Sequence, residues 1–231
     1  DNWGEGSNII YFDDVEPTYQ DIQAPVFDNH NENGLVHEIY INDTKLKIQE
    51  YYKHIIAPLN ENCKKSIRDI LTNKNVEITY SDRYVNSALA ALMLTYLIYG
   101  IKDEYNINIS TIRLNLNWRG RACNNLRFDE SSYISRDFGT AEDADNYIND
   151  LMYGVLGIQP IQVNHIPDHY RWLKIMNNRG EFLEIRPDHG ISGAWTSQQL
   201  YMNLESLDGN LIVSKNNDNE PDLYYIIIHK L

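Results

Sequence analysis

The stretch VEITYSDRYVNSALAALMLTYLIYGI, Val76 to Ile101, decides the fold. Its first five residues alternate apolar and polar side chains, as a half-buried strand does. SDRYVNS then turns the chain. From Ala88 to Ile101 the residues are apolar nearly all round, which marks a helix buried against a sheet. This run falls short of the roughly 20 apolar residues that a membrane span requires. INISTIRLNL, Ile107 to Leu116, is a second strand. Strand, helix and strand in that order predict two parallel strands joined by a right-handed crossover helix.

Working outward, Thr44 to Leu71 has a helical composition broken near Pro58, with Ile48, Tyr51, Tyr52, Ile55 and Ile56 spaced to face a core. TAEDADNYINDLMYGVLG opens on Thr140 with Asp143 in the first turn and closes at Gly157, a capped helix. IQPIQVNHI offers a third strand. HYRWLKIM and EFLEIRP flank NNRG, a turn whose residues tolerate positive φ, and so predict a hairpin. NLIVSK and DLYYIIIHKL supply two more strands. The continuous apolar run YYIIIH suggests a central strand covered on both faces. Alternating β and α followed by a run of strands predicts an α/β domain, a mixed β-sheet with flanking helices.

The net charge of −13 over 231 residues is unevenly placed. Residues 1–44 hold ten acidic side chains and no lysine or arginine, leaving 23 acidic against 20 basic residues for the rest. The first 44 residues are therefore expected to be an extended acidic arm, packed on its own domain through Trp3, Tyr11, Phe12, Tyr19 and Phe27. Residues 45–231 form the α/β domain. With 42% hydrophobic residues and 17 tyrosines the chain can bury a real core. It has no secretory signal pattern and no apolar run long enough to span a membrane, so a cytoplasmic protein is expected. It begins at Asp1 rather than Met, consistent with a piece of something larger. Cys63 and Cys123 lack metal-site spacing and are expected as free thiols. No metal or other cofactor is expected.

RLNLNWRGRACNNLR carries Arg113, Arg119, Arg121 and Arg127 without an acid. Such a run is either a solvated face or a phosphate-facing patch, with Trp118 and Phe128 placed to stack on bases. Two shorter patterns bear on chemistry. Asp82-Arg83-Tyr84 follows the first strand, at the edge where ligands bind in open α/β sheets. His169-Tyr170-Arg171 opens the hairpin, and alternation puts His169 and Arg171 on one face. An imidazole can take a phosphoryl group and release it. Arginine's planar fork suits phosphate oxygens. Converging, His169, Arg171 and Arg83, oriented by Asp82, would make a phosphate site. Apart, they are a chance triplet and a turn with an ion pair.

The order of these patterns, with Asp188, Gly190 and Trp195 in DHGISGAW after the hairpin, resembles phospholipase-D-like domains. It is similar to the divergent ones at the carboxy-terminal end of MIT-domain proteins and to those attached to phage-defence DEAD/DEAH-type helicases. The resemblance spans roughly residues 45–231. Active members carry a lysine where Arg171 stands and an aspartate where Met176 stands, followed by a Gly-Ser segment missing here. They draw a second histidine from a second half, the proton donor to the leaving oxygen. The resemblance thus implies a pseudoenzyme-like, helicase-associated module that binds nucleic acid backbone or a partner subunit. The alternatives are a metal-independent phosphodiesterase or nuclease that completes its site as a homodimer, and an interaction domain with an acidic arm.

Overall fold

The computed structural model describes residues 34–82, 85, 87–116, 138, 141–163, 171–196, 211–216 and 220–231. In chain order the elements are β1 (Gly34–Ile41), β2 (Lys45–Lys47), a 3-10 turn (Ile48–Glu50), α1 (Tyr51–Ile56), α2 (Glu61–Leu71) and β3 (Asn75–Asp82). There follow α3 (Ala88–Tyr105), β4 (Asn108–Leu116), α4 (Ala141–Leu156), β5 (Ile161–Gln162), β6 (Trp172–Asn177), β7 (Phe182–Pro187), β8 (Trp195–Thr196), β9 (Ile212–Lys215) and β10 (Asp222–His229). Seven strands form one mixed sheet in the order β1-β10-β7-β6-β3-β4-β5, and β2-β9-β8 form a second, small sheet.

The Val76–Ile101 stretch behaves as its pattern requires. β3 pairs in parallel with β4 and antiparallel with β6. α3 starts where Ser87 accepts the N–H of Ala90 and ends where Asn106 enters the left-handed region at φ 47°. Nearly its whole length is buried. Gly100 lets α1 approach: a Cβ there would lie 2.3 Å from the ring of Tyr52. The crossover strands are tied at their starts by Asn106 to Asn73 and Asn108 to Asn75 amide bonds of 2.7 and 2.8 Å. The NNRG hairpin joins β6 to β7, and Asn177 donates to the Ile70 carbonyl at 3.0 Å, docking its turn on α2.

Helices cover the face that carries Ile78, Tyr80, Leu173, Ile175, Ile185, Ile226 and Tyr224, all buried. α1 meets it through Tyr51 against Tyr224, and α2 through Cys63 against His37. Cys63 is a free, buried thiol. On the opposite face Glu184 is buried between Lys174 at 2.9 Å and Arg186 at 2.5 Å, a carboxylate compensated by two cations. β10 lies inside the sheet, and Ile227 is buried on that opposite face while Tyr225 and His229 are half-buried.

Three placements depart from the sequence pattern. Gly34–Ile41, within the stretch assigned to the arm, is an eight-residue strand along β10. As an edge strand it buries only Ile39 and Ile41, and its Leu35, Val36 and Tyr40 stay exposed, so its alternation is weak. TKLK, assigned to the first helix, is β2, whose only buried residue is Leu46. β8, of two residues, carries no strand pattern; it pairs with β9, the strand expected in NLIVSK, and the two close the small sheet around Val213. The arginine-rich loop and residues 1–33 lie outside the described residues.

β1 is expected to be integral. Ile41→Ala should cost roughly 2–5 kcal/mol of unfolding free energy in urea, the usual range for emptying a packed isoleucine site. A loss below about 0.5 kcal/mol, the usual range for surface positions, would mean that β1 merely rests on the domain.

Candidate functional site

At the carboxyl end of β3, alternation turns Tyr80 and Asp82 to the same buried face. An ionised side chain there requires partners. The Tyr80 hydroxyl donates to Asp82 Oδ2 at 2.7 Å. Burial, with the carboxylate beside it, pushes the Tyr80 phenol well above its usual range, so it remains a donor. The antiparallel register pairs Ser81 with Trp172, which brings Arg171 level with Asp82. Arg171 Nε lies 3.6 Å from Asp82 Oδ1, and Nη1 donates to the Asp188 carbonyl. The guanidinium is held by a carboxylate on one side and a backbone oxygen on the other.

Gly190 completes the cluster. It has φ +84°, and a Cβ on it would meet Arg171 Cδ at 3.3 Å and Asp82 Oδ2 at 3.5 Å. Three segments far apart in sequence thus meet: the strand end with Asp82, the hairpin entry with Arg171, and the turn with Asp188 and Gly190. His189, next to Gly190, is mostly exposed, with Nδ1 3.5 Å from the Asp188 carboxylate.

The turn has a second anchorage. Trp195 is fully buried and its Nε1 donates to Asp222 Oδ2 at 2.8 Å. The Tyr224 hydroxyl lies 2.5 Å from the same oxygen and touches the Tyr51 hydroxyl, which sits 3.1 Å from the Ile191 carbonyl oxygen. Asp188 N–H donates to the Leu223 carbonyl at 3.0 Å. No local sequence signal announces Tyr51, Tyr224 or Asp222, because their contacts span distant parts of the chain. Tyr80 has a signal, since strand alternation alone aligns it with Asp82.

Asp82, Arg171, Asp188 and Gly190 are therefore brought together. His169, Arg83 and Tyr84 lie outside the described residues, as do Trp118, Arg119, Arg121, Arg127, Phe128, His165 and Cys123. Arg113 is described. It belongs to β4 rather than to a loop, and its Nη1 lies 2.6 Å from Glu77 Oε2 on the face opposite Asp82. That ion pair sets it apart from the Arg171 cluster. Among the described residues no helix is long and apolar enough to cross a membrane.

Gly190→Ala is expected to lower the unfolding free energy by about 1–2 kcal/mol, the cost of a left-handed residue with a Cβ. Combined with Arg171→Ala, which removes the side chain it would press on, the loss should be less than additive. Full additivity would mean that the two do not touch.

No curated protein matches the chain. A family model described as "DEAD/DEAH box helicase YjiV, C-terminal domain" matches residues 38–213. The match runs from within β1, through Asp82, Arg171, Gly190 and Trp195, and into β9. This helicase-associated α/β domain therefore belongs to the family of DEAD/DEAH box helicase YjiV C-terminal domains.

Proposed function

We propose that the domain is a non-catalytic, phospholipase-D-like module of a larger helicase protein, and that it holds a nucleic acid by its phosphate backbone. The setting the resemblance implies is a phage-defence helicase. The observation that carries this reading is the convergence of Asp82, Arg171 and Gly190 at the carboxyl end of β3. That edge is where open α/β sheets take their ligands. Arg171 is pre-set there by two contacts, so little side-chain freedom is lost when an anion arrives. His169, two residues before Arg171, and Arg83, next to Asp82, are the further ligands in this reading.

Catalysis would need a proton donor for the leaving oxygen. The chain carries one His-X-Arg motif and no second one, so a single copy binds and does not turn over. Arg119, Arg121 and Arg127, with Trp118, extend the contact along the strand. Arg113, already engaged by Glu77, contributes little to it.

Binding of a single-stranded oligonucleotide, followed by fluorescence anisotropy over a salt series, tests the reading. Arg171→Ala should weaken binding about tenfold or more, in line with about 1.5–3 kcal/mol for a hydrogen bond to a charged group. Replacing Arg119, Arg121 and Arg127 together by Ala should flatten the salt dependence, by close to one unit of slope per lost phosphate contact. Arg113→Ala should leave that slope unchanged. No binding by the native chain at low salt removes the proposal. Generic phosphodiesters should stay intact with or without divalent metal. Hydrolysis abolished by His169→Ala would establish instead the active phosphodiesterase, and a specific activity (rate per molecule of protein) rising with protein concentration would point to a site completed in a dimer.

A further inference from the structure

We propose that Asp222 is a neutral carboxylic acid in the folded protein, and that its proton heads a relay of donors fastening the Asp188–Trp195 turn to the sheet. Counting protons carries the inference. Three oxygen–oxygen contacts run in series: Asp222 Oδ2 to the Tyr224 hydroxyl at 2.5 Å, the Tyr224 to the Tyr51 hydroxyl, and the Tyr51 hydroxyl to the Ile191 carbonyl at 3.1 Å. Three hydrogen bonds need three protons. A carbonyl brings none, and each hydroxyl brings one. With Asp222 ionised, one of the three contacts is two lone pairs facing each other. With Asp222 protonated on Oδ2, it donates to Tyr224, Tyr224 to Tyr51, and Tyr51 to Ile191, and every contact is a bond.

The second carboxyl oxygen points the same way. Asp222 Oδ1 is buried and, among the described residues, has no hydrogen-bond partner. An ionised oxygen without a donor is far costlier to bury than the carbonyl oxygen of a neutral acid. The indole N–H of Trp195 donates to Oδ2 and is compatible with the acid, since a hydroxyl oxygen also accepts.

The groups packed around Asp222 agree. From α1 and β10 come Tyr51 and Tyr224, whose phenols burial holds well above their ordinary range. From β1 comes the apolar Ile41, its ladder partner. From β9 comes Lys215, whose ammonium donates to the carbonyls of Ile41 and Glu220. From the turn comes His189, its side chain 63% exposed and set beside the Asp188 carboxylate. Desolvation likewise raises the Asp222 carboxyl above its ordinary value, outweighing the donors and cations near it.

Asp222 and Tyr51 are thus positioning residues. They fix the turn whose Asp188 carbonyl and Gly190 backbone seat Arg171. The inference uses only the fold and does not depend on the phosphate reading. Its pH dependence has a definite sign. A carboxyl raised on folding binds a proton that the unfolded chain, near pH 4, has already lost. Stability therefore falls as pH rises from there to the folded value, and above that value the relay is one proton short.

The test is carbon NMR of the full chain, following the Asp222 carboxyl resonance, assigned by its loss in Asp222→Asn. Just above the unfolded titration range, near pH 4, it should still sit at the neutral-acid position. A carboxylate position there overturns the inference. Amide exchange of Ile191 to Trp195, corrected for intrinsic base catalysis, should accelerate through the same titration. It should not do so in Asp222→Asn, whose amide keeps a donor for Tyr224. Equal pH dependence in both proteins refutes the latch. Should Asp222→Asn not fold, Tyr51→Phe, which removes the second link, shifts the same resonance and supplies the assignment.

Discussion

A carboxylate cannot be buried at the end of a central strand without partners, and the partners of Asp82 organise this domain. Strand alternation sends Asp82 inward with Tyr80, Ile78 and Val76. The apolar members join the buried core, and the phenol of Tyr80 and the guanidinium of Arg171 answer the charge. Arg171 reaches Asp82 only because β6 runs antiparallel beside β3 in one register. A slip of one residue would send Arg171 to the other face and leave the Asp82 carboxylate buried without its guanidinium. The hairpin register, the crossover and the turn at Gly190 are thus tied to one ionic requirement.

The turn after β7 shows how a polar interior is made specific. Its atoms are held at Asp188 by the backbone of β10, at Ile191 by Tyr51 and at Trp195 by Asp222. These holds come from α1 and from the final strand, elements far apart in sequence. The family match ends in β9, yet β10 lies between β1 and β7 and carries two of the turn's anchors. The structural unit is accordingly larger than the matched segment. Without β10, both β1 and β7 would present unpaired edges.

The two sheet faces solve burial differently. One is covered by helices and is mainly apolar, its polar groups being the relay, the Asp82 cluster, and Asn177 and His37 where α2 docks. The other carries its own polar layer, with Glu184 between Lys174 and Arg186, Arg113 on Glu77, and Phe182 stacked against His229 at 4.9 Å. Arg113 illustrates the consequence for function. Counted by sequence it joins an arginine-rich run. Placed by its strand it faces away from Arg171 and is already paired.

Elements with strong local periodicity could be read from the order of residues. The β3–α3–β4 crossover, the NNRG hairpin and the inward set Ile48, Tyr51, Tyr52, Ile55 and Ile56 were legible because alternation and helical spacing are local properties. The sequence also marked Asp82, Arg171, Asp188, Gly190 and Trp195 as one pattern; topology brings the first four together and seats Trp195 on Asp222. The remaining features depend on long-range packing. β1, β2 and β8 are short or half-exposed segments whose pairing energy comes from distant strands. Tyr51, Tyr224 and Asp222 look like ordinary helix and strand residues until packing brings three oxygens into line. Hydrogen bonds between residues remote in sequence leave no periodic trace, so neither these partners nor their shared proton could be read before the chain was folded.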